Sequence, residues 1–378
     1  VPEQSSFPDP WVDVAPDEAP FPSPQPQERE ETPLPPPKTH SRRALRGPAP
    51  TVRRDPTRTE QMLERINTTD GRGERPEKGL RRFVYSLTNG RVNPGLSKDE
   101  QVRHSLIRTL TAPLPSGRVY YIGCFTQKGG LGKTTTATAL GAMMATHRND
   151  KVLGLDVNPD GGSMALRVPQ TSEYTILDLR DELLRRDLSP MEFDGFVNHN
   201  PTTRFDAIVM PPGEKPSSPL SAEDFRMIAN GLHEKYPYRI VLVDCGTDLT
   251  SSVMDSVIPR LDLLVTVSTT IRDEAAVTLG GLDALSKDGY EDLVSNSVTM
   301  MVHKQLNDPD VQEQRRIDRE TREIRSWFRD TTSAVIDVPY DSTLRRGGVI
   351  DLNSLTEETQ MAYLRGGAEI TTSLAQLR

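Results

Sequence analysis

Cysteine is nearly absent from this 378-residue chain: Cys124 and Cys245 are the two it has, and they form neither a disulfide framework nor a metal-ligand spacing. A reducing compartment is the expectation. No run of about 18 apolar residues occurs that could cross a bilayer, and no charged-then-apolar export signal opens the sequence. The chain is therefore expected to be soluble and cytoplasmic, without an integral membrane segment, reaching the inner face of a membrane only through a partner. A surplus of positive charge is missing too. The net charge of −8 argues against a chain that is basic overall and leaves any basic face a local matter.

Proline, by contrast, is plentiful and unevenly spread, with 14 of the 31 in the first 50 residues and Pro35-Pro36-Pro37 at the densest point. Such a segment, poor in aromatics, cannot bury enough surface to offset its ordering entropy. Acidic residues from Glu3 to Glu31 give way to arginines from Arg42 to Arg58. Residues 1–75 are thus expected to be a disordered, charged, Pro-rich arm. It reads as a self-solvating tail or, more sharply, as a partner-binding element, because polyproline segments and charge blocks serve in recognition. Residues 76–117 read as a short helical extension. Lys78 to Leu87 has apolar positions at helical spacing, and Ser97 with Glu100 gives the capping-box pattern ahead of a helix to Leu110, ended by Pro113 and Pro115.

From residue 118 to 378 the composition is that of a globular domain, and its organising stretch is Val119 to Thr136. An apolar strand runs into Gln127-Lys128-Gly129-Gly130-Leu131-Gly132-Lys133-Thr134-Thr135 and then into a helix. Three glycines in four positions let backbone N–H groups crowd around an anion, and the helix start adds its own free N–H groups. A polyphosphate is the natural occupant. Gly129, Gly130, Leu131, Gly132, Lys133, Thr134 and Thr135 form the cradle; Lys133 reaches the β and γ phosphates, and the Thr134 hydroxyl is placed to ligate Mg²⁺.

The ordinary phosphate-loop pattern G-x-x-x-x-G-K-[ST] asks for glycine where Gln127 stands. What fits is the deviant form K-G-G-x-G-K-T-T, with its extra lysine, Lys128, and on these residues the chain resembles the ParA/MinD family of P-loop ATPases. The resemblance implies ATP and Mg²⁺ as cofactors and an ATP-dependent homodimer in which Lys128 crosses to the partner's nucleotide. An Arg-Arg-aromatic segment (Arg81-Arg82-Phe83) and an Asn93-Pro94-Gly95 turn behind a Pro-rich leader look like the EspI-type ATPases that accompany actinobacterial type VII (ESX) secretion. That would make a secretion-system protein a partner through the arm.

Two strands end in aspartate. Val152 to Asp156 reads as the strand before the first switch, where the resemblance implies D-x-D-P; here Asp156-Val157-Asn158-Pro159 puts an amide where the family orients water with a carboxylate. An amide can hold a water but cannot take its proton, so hydrolysis should be slowed. The alternative is Asn158 as a turn residue before Pro159. Tyr238 to Asp244 has the form of a strand buried on both faces, with Asp244 serving the metal. His303 stands where the family usually places an adenine-reading asparagine, and Pro339-Tyr340 look like the loop that closes over the base.

Further strands are expected at Phe205–Met210, Leu261–Thr269, Ser297–His303 and Ser333–Val338, with helices between. A final helix is expected from near Thr356 to Leu377 behind a Ser354/Glu357 cap, with Gly366-Gly367 a candidate point of interruption. Alternating strands and helices imply an α/β fold: a mostly parallel sheet with helices on both faces and nucleotide at the carboxyl ends of the strands. Val311 to Asp330 carries arginines interleaved with acids above an apolar stripe. It reads as a solvated helix face, with nonspecific DNA the less favoured partner. The functions carried forward are a slow ATPase acting as a dimerisation switch in secretion, a partitioning ATPase on DNA, and a nucleotide-gated scaffold without hydrolysis.

Overall fold

The computed structural model describes Glu77, Arg82 and residues 85–87, then residues 95–377 except 160, 214–215, 249–250 and 305–310. The Pro-rich arm and most of the helix expected at Lys78–Leu87 lie outside the described residues.

Among the described residues eight strands form one sheet: β1 Tyr120–Phe125, β2 Lys151–Asp156, β3 Asn198–His199, β4 Phe205–Ile208, β5 Tyr238–Asp244, β6 Leu263–Thr269, β7 Val298–Val302 and β8 Ala334–Val338. Their order is β3-β4-β2-β5-β1-β6-β7-β8. Every pairing is parallel except the two-residue edge strand β3, which runs antiparallel to β4. The mostly parallel α/β fold read from the sequence is the fold observed. β3 went unforeseen because two residues carry no periodicity.

Among the described residues seven longer helices cover the sheet: α1 Lys98–Leu110, α2 Lys133–His147, α3 Ile176–Arg185, α4 Ala222–Glu234, α5 Arg272–Leu285, α6 Val311–Thr331 and α7 Glu357–Leu374. Strand alternation assigns the layers. Tyr120, Ile122 and Cys124 face one core with α1, α2 and α7, while Tyr121 and Phe125 face the other with α3, α4, α5 and α6. The two cysteines follow the same logic: Cys124 lies in the first core and Cys245 in the second, both buried.

The capping box of α1 is present, Ser97 accepting from the Glu100 N–H and Glu100 from the Ser97 N–H. At the other end of the chain two expectations are corrected. α7 is capped by Thr356, which accepts from the Thr359 N–H, because Ser354 closes a short 3₁₀ turn begun by Asp351. Nor do Gly366 and Gly367 interrupt the helix. A Cβ on Gly366 would lie 2.9 Å from Leu140, and one on Gly367 2.5 Å from Leu110, so these glycines let α7 approach α2 and α1 closely.

The phosphate-loop helix is seated in the same way. Phe205, fully buried, occupies the space between α2 and β2, where a Cβ on Gly141 would come within 2.2 Å of its ring and one on Gly154 within 2.5 Å. Gly141→Ala should therefore destabilise the protein by about 1–3 kcal/mol through overpacking, against the gain of about 1 kcal/mol that helix propensity alone gives. Gly280→Ala, at an exposed position of α5 with nothing within 4 Å of the added carbon, should show that gain. Urea denaturation of the two variants checks the pair, and equal shifts would refute the wedge.

Candidate functional site

β1 ends beneath the loop 127–132, and α2 begins at Lys133. Gly130 and Gly132 have φ of 79° and 92°, the left-handed region that only glycine enters without strain. Gly129 has no such requirement, and a Cβ there would meet nothing within 4 Å. All three glycines thus border open space, as a cradle for a close-approaching ligand requires. Gly132 caps α2 with no side-chain bond, which leaves its first N–H groups directed outward.

Lys133 and Thr134 turn the other way, into the protein. Lys133 Nζ donates to Asp244 Oδ1 at 2.5 Å, and Thr134 Oγ1 donates to Asp244 Oδ2 at 2.6 Å. Burial alone would lower the lysine's pKa; the charge and hydrogen bond of Asp244 more than reverse this, and the ammonium is held protonated. Asp156 stands beside Asp244 in register across β2 and β5. It is fully buried and accepts from the Asn158 and Met164 N–H groups at 3.2 and 3.3 Å. Burial first, and then the neighbouring Asp244, push its carboxyl up to about 7. Two carboxylates and one ammonium therefore share a buried site.

These donors fit Mg²⁺. They are hard oxygens, a hydroxyl and carboxylates, and too few to hold an ion alone, which suits a metal that keeps water and phosphate oxygens in its shell. Ser163, which sequence reasoning missed, joins them: its Oγ donates to Thr134 Oγ1 at 2.8 Å. No spacing rule singles out a serine in the loop after β2. Gly162 beside it tolerates no side chain, since a Cβ would fall 2.2 Å from Asp156 Oδ2.

Asn158 closes its own turn, its side-chain N–H donating to Gly161 O at 3.1 Å. Lys128 lies away from the buried trio and is half exposed, with Nζ 3.2 Å from Glu274 Oε1. His303 is bonded sideways, Nε2 to Asp337 Oδ1 at 2.9 Å, and Arg325 reaches the other oxygen of that carboxylate. It borders a cavity of about 460 Å³ lined also by Thr270, Lys304, Arg322 and Arg325, to which no phosphate-loop residue contributes. Pro339 and Tyr340 are half-buried after β8, and Asp341 next to them caps the turn that follows by accepting from the Thr343 and Leu344 N–H groups. The structure thus gathers Lys133, Thr134, Asp156 and Asp244 at one point and leaves Lys128 paired with Glu274 and His303 hydrogen-bonded to Asp337.

Parallel sheet, glycine loop and paired aspartates define the chain as a P-loop protein of the ParA/MinD-like fold. The family described as "AAA domain" matches residues 119–203. Among solved structures, the ParA family ATPase from Chlorobium tepidum superposes with a TM-score of 0.50 at 20% identity, covering 67% of this chain and 99% of that one. The MinC:MinD cell division protein complex of Aquifex aeolicus gives 0.50 at 16% identity, covering 67% and 96%. The chain is also related to the ESX-1 secretion-associated protein EspI of Mycobacterium tuberculosis, with 32% identity over 238 residues. That match takes in 62% of this chain and 34% of EspI, so the chain spans about a third of the length of the curated relative. No described helix is long and apolar enough to cross a membrane.

Because its carboxyl is raised from 3.8 to about 7, Asp156 binds a proton more readily in the folded state than in the unfolded one. Its contribution to stability therefore falls as pH rises from about 4 to about 7, and stays low above that. Without nucleotide, Asp156→Asn should stabilise the protein at pH 8, by on the order of 2 kcal/mol, with the gain fading towards pH 4. Thermal melts of both proteins across that range check the sign.

Proposed function

We propose that the chain is a Mg·ATP-dependent dimerisation switch with slow ATPase activity, serving as an accessory protein of an ESX, type VII-like secretion system. The observation that carries this reading is the convergence of Lys133 and Thr134 on Asp244 at the mouth of a glycine loop. Lys133 and the N–H groups of residues 129–135 bind the phosphates, with Lys133 following the γ-phosphate as charge develops there. Thr134 and Asp244 hold Mg²⁺, with Ser163 orienting the threonine hydroxyl and Asp156 supporting the metal or its water. When bound, the ion neutralises phosphate charge and aligns the γ-phosphate for in-line attack. Lys128 bridges to the partner subunit's nucleotide. His303, Pro339 and Tyr340 border the base.

Asn158 positions the attacking water without accepting its proton, so hydrolysis is slow. Its bond to Gly161 supports a second reading, a nucleotide-gated scaffold with little turnover. A DNA-partitioning role is disfavoured by the pairing of arginines on and beside α6: Arg316 with Glu320, Arg325 with Asp337, and Arg272 with Glu323. The secretion assignment draws on the relation to EspI, with the Pro-rich arm, residues 1–75, as the element that meets the partner and the cytoplasm as the place.

Lys133→Ala should abolish ATP binding in calorimetry while the far-ultraviolet dichroism of the fold is kept; unchanged affinity would remove the phosphate assignment. Lys128→Ala should bind ATP yet stay monomeric on sizing with Mg·ATP. Asn158→Asp should raise phosphate release about ten-fold or more if water positioning limits the rate. A rate still at background would favour the scaffold.

A further inference from the structure

Glu274 lies in the first turn of α5, shortly after β6, and is 7% exposed. Its carboxylate takes four contacts. Lys304 Nζ, from the end of β7, lies 2.8 Å from each oxygen, Thr269 Oγ1 donates to Oε2 at 2.6 Å, and Lys128 Nζ donates to Oε1 at 3.2 Å. Burial would raise the carboxyl's pKa; the bonds from Lys304, Thr269 and Lys128, in that order, more than offset it and keep the group ionised. One buried carboxylate therefore carries two ammonium groups that would otherwise repel each other. The Lys128 contact is the longest of the four, and its side chain is half exposed.

We propose that Glu274 is the positioning residue for Lys128: it parks the lysine on its own subunit until a second subunit's nucleotide draws it away, and Lys304 remains behind as the counter-ion. This rests on Lys128 being the lysine that joins two subunits. A buried carboxylate stripped of its sole cation is strongly disfavoured, whereas one that keeps a two-point partner is not. Lys304 thus sets how tightly Lys128 is held. Remove Lys304 and, among the described residues, Lys128 becomes the only cation on Glu274. Remove the charge of Glu274 and both lysines lose their anchor, with mutual repulsion pushing the exposed one outward.

The two substitutions therefore act in opposite directions, although they remove two ends of one ion pair. A merely structural role predicts the same direction for both. Two such contacts are released for each dimer formed, and a half-exposed pair contributes modestly. Glu274→Gln should thus lower the protein concentration for half-dimerisation in Mg·ATP about five-fold, and Lys304→Met should raise it by a similar factor. Analytical ultracentrifugation of the full chain with Mg·ATP, and with a non-hydrolysable ATP analogue to separate assembly from turnover, reads both. Wild-type protein that stays monomeric at saturating nucleotide overturns the subunit-bridging reading itself. Wild-type dimers with both variants unshifted, or shifted the same way, overturn the role of Glu274 alone. Should Glu274→Gln fail to fold, as its dichroism would show, Lys304→Met decides: a weaker dimer supports the proposal, and an equal or tighter one refutes it.

Discussion

The buried ion pair of Lys133 with Asp244, and Asp156 one strand away, is the constraint around which the sheet is arranged. One ammonium and two carboxylic groups are closed off from water at the point where β2, β5 and the first turn of α2 meet. Such a cluster is poorly balanced. Desolvation penalises each charge, and Asp156 answers by holding its proton to about pH 7. In the proposed function a divalent cation with a polyphosphate would change that balance, since the metal would favour both carboxylates ionised while the phosphate took over the lysine.

The two loop lysines show how placement divides one residue type into two roles. Lys133 begins the helix, points inward and is 7% exposed. Lys128, five positions earlier and half exposed, meets the buried Glu274 carboxylate in the first turn of α5. Coulomb attraction in the interior is strong and geometry-bound, while at the rim it is weakened by solvent. In the proposed function the lysine that stays is the one buried with its partner, and the lysine that moves is the half-exposed one.

Much of this was legible in the chain. Glycine spacing marked the loop, buried apolar runs closed by aspartate marked β2 and β5, and the Ser97/Glu100 pattern marked the start of α1, because each signal is local and rests on backbone chemistry. What escaped reading depends on contacts distant in sequence. Glu274 gathers Lys128 from 146 positions away and Lys304 from 30, and nothing near residue 274 announces either. Ser163 is likewise an ordinary serine until folding sets it on Thr134. The α7 cap was misplaced for a related reason. Ser354 has a glutamate three residues on and Thr356 a threonine, so the local pattern favours the serine, but Asp341, whose Oδ2 accepts the Thr356 N–H at 2.9 Å, fixes where the helix begins. Gly366 and Gly367 look like breakers in isolation and are instead the flat side on which neighbouring helices lie.

The placement of the cysteines has a consequence for the cell. Cys124 and Cys245 touch through their backbones, the Cys245 N–H donating to Cys124 O at 3.2 Å, yet the pleat sends their thiols into opposite layers. Oxidation cannot staple them together without turning one strand over. Burial also pushes the Cys245 thiol up to about 12, leaving almost no thiolate for an oxidant to attack. The floor beneath the glycine loop is thus sulfur-bearing but redox-silent, and a burst of peroxide would find no chemical handle there on the conformation of the loop above.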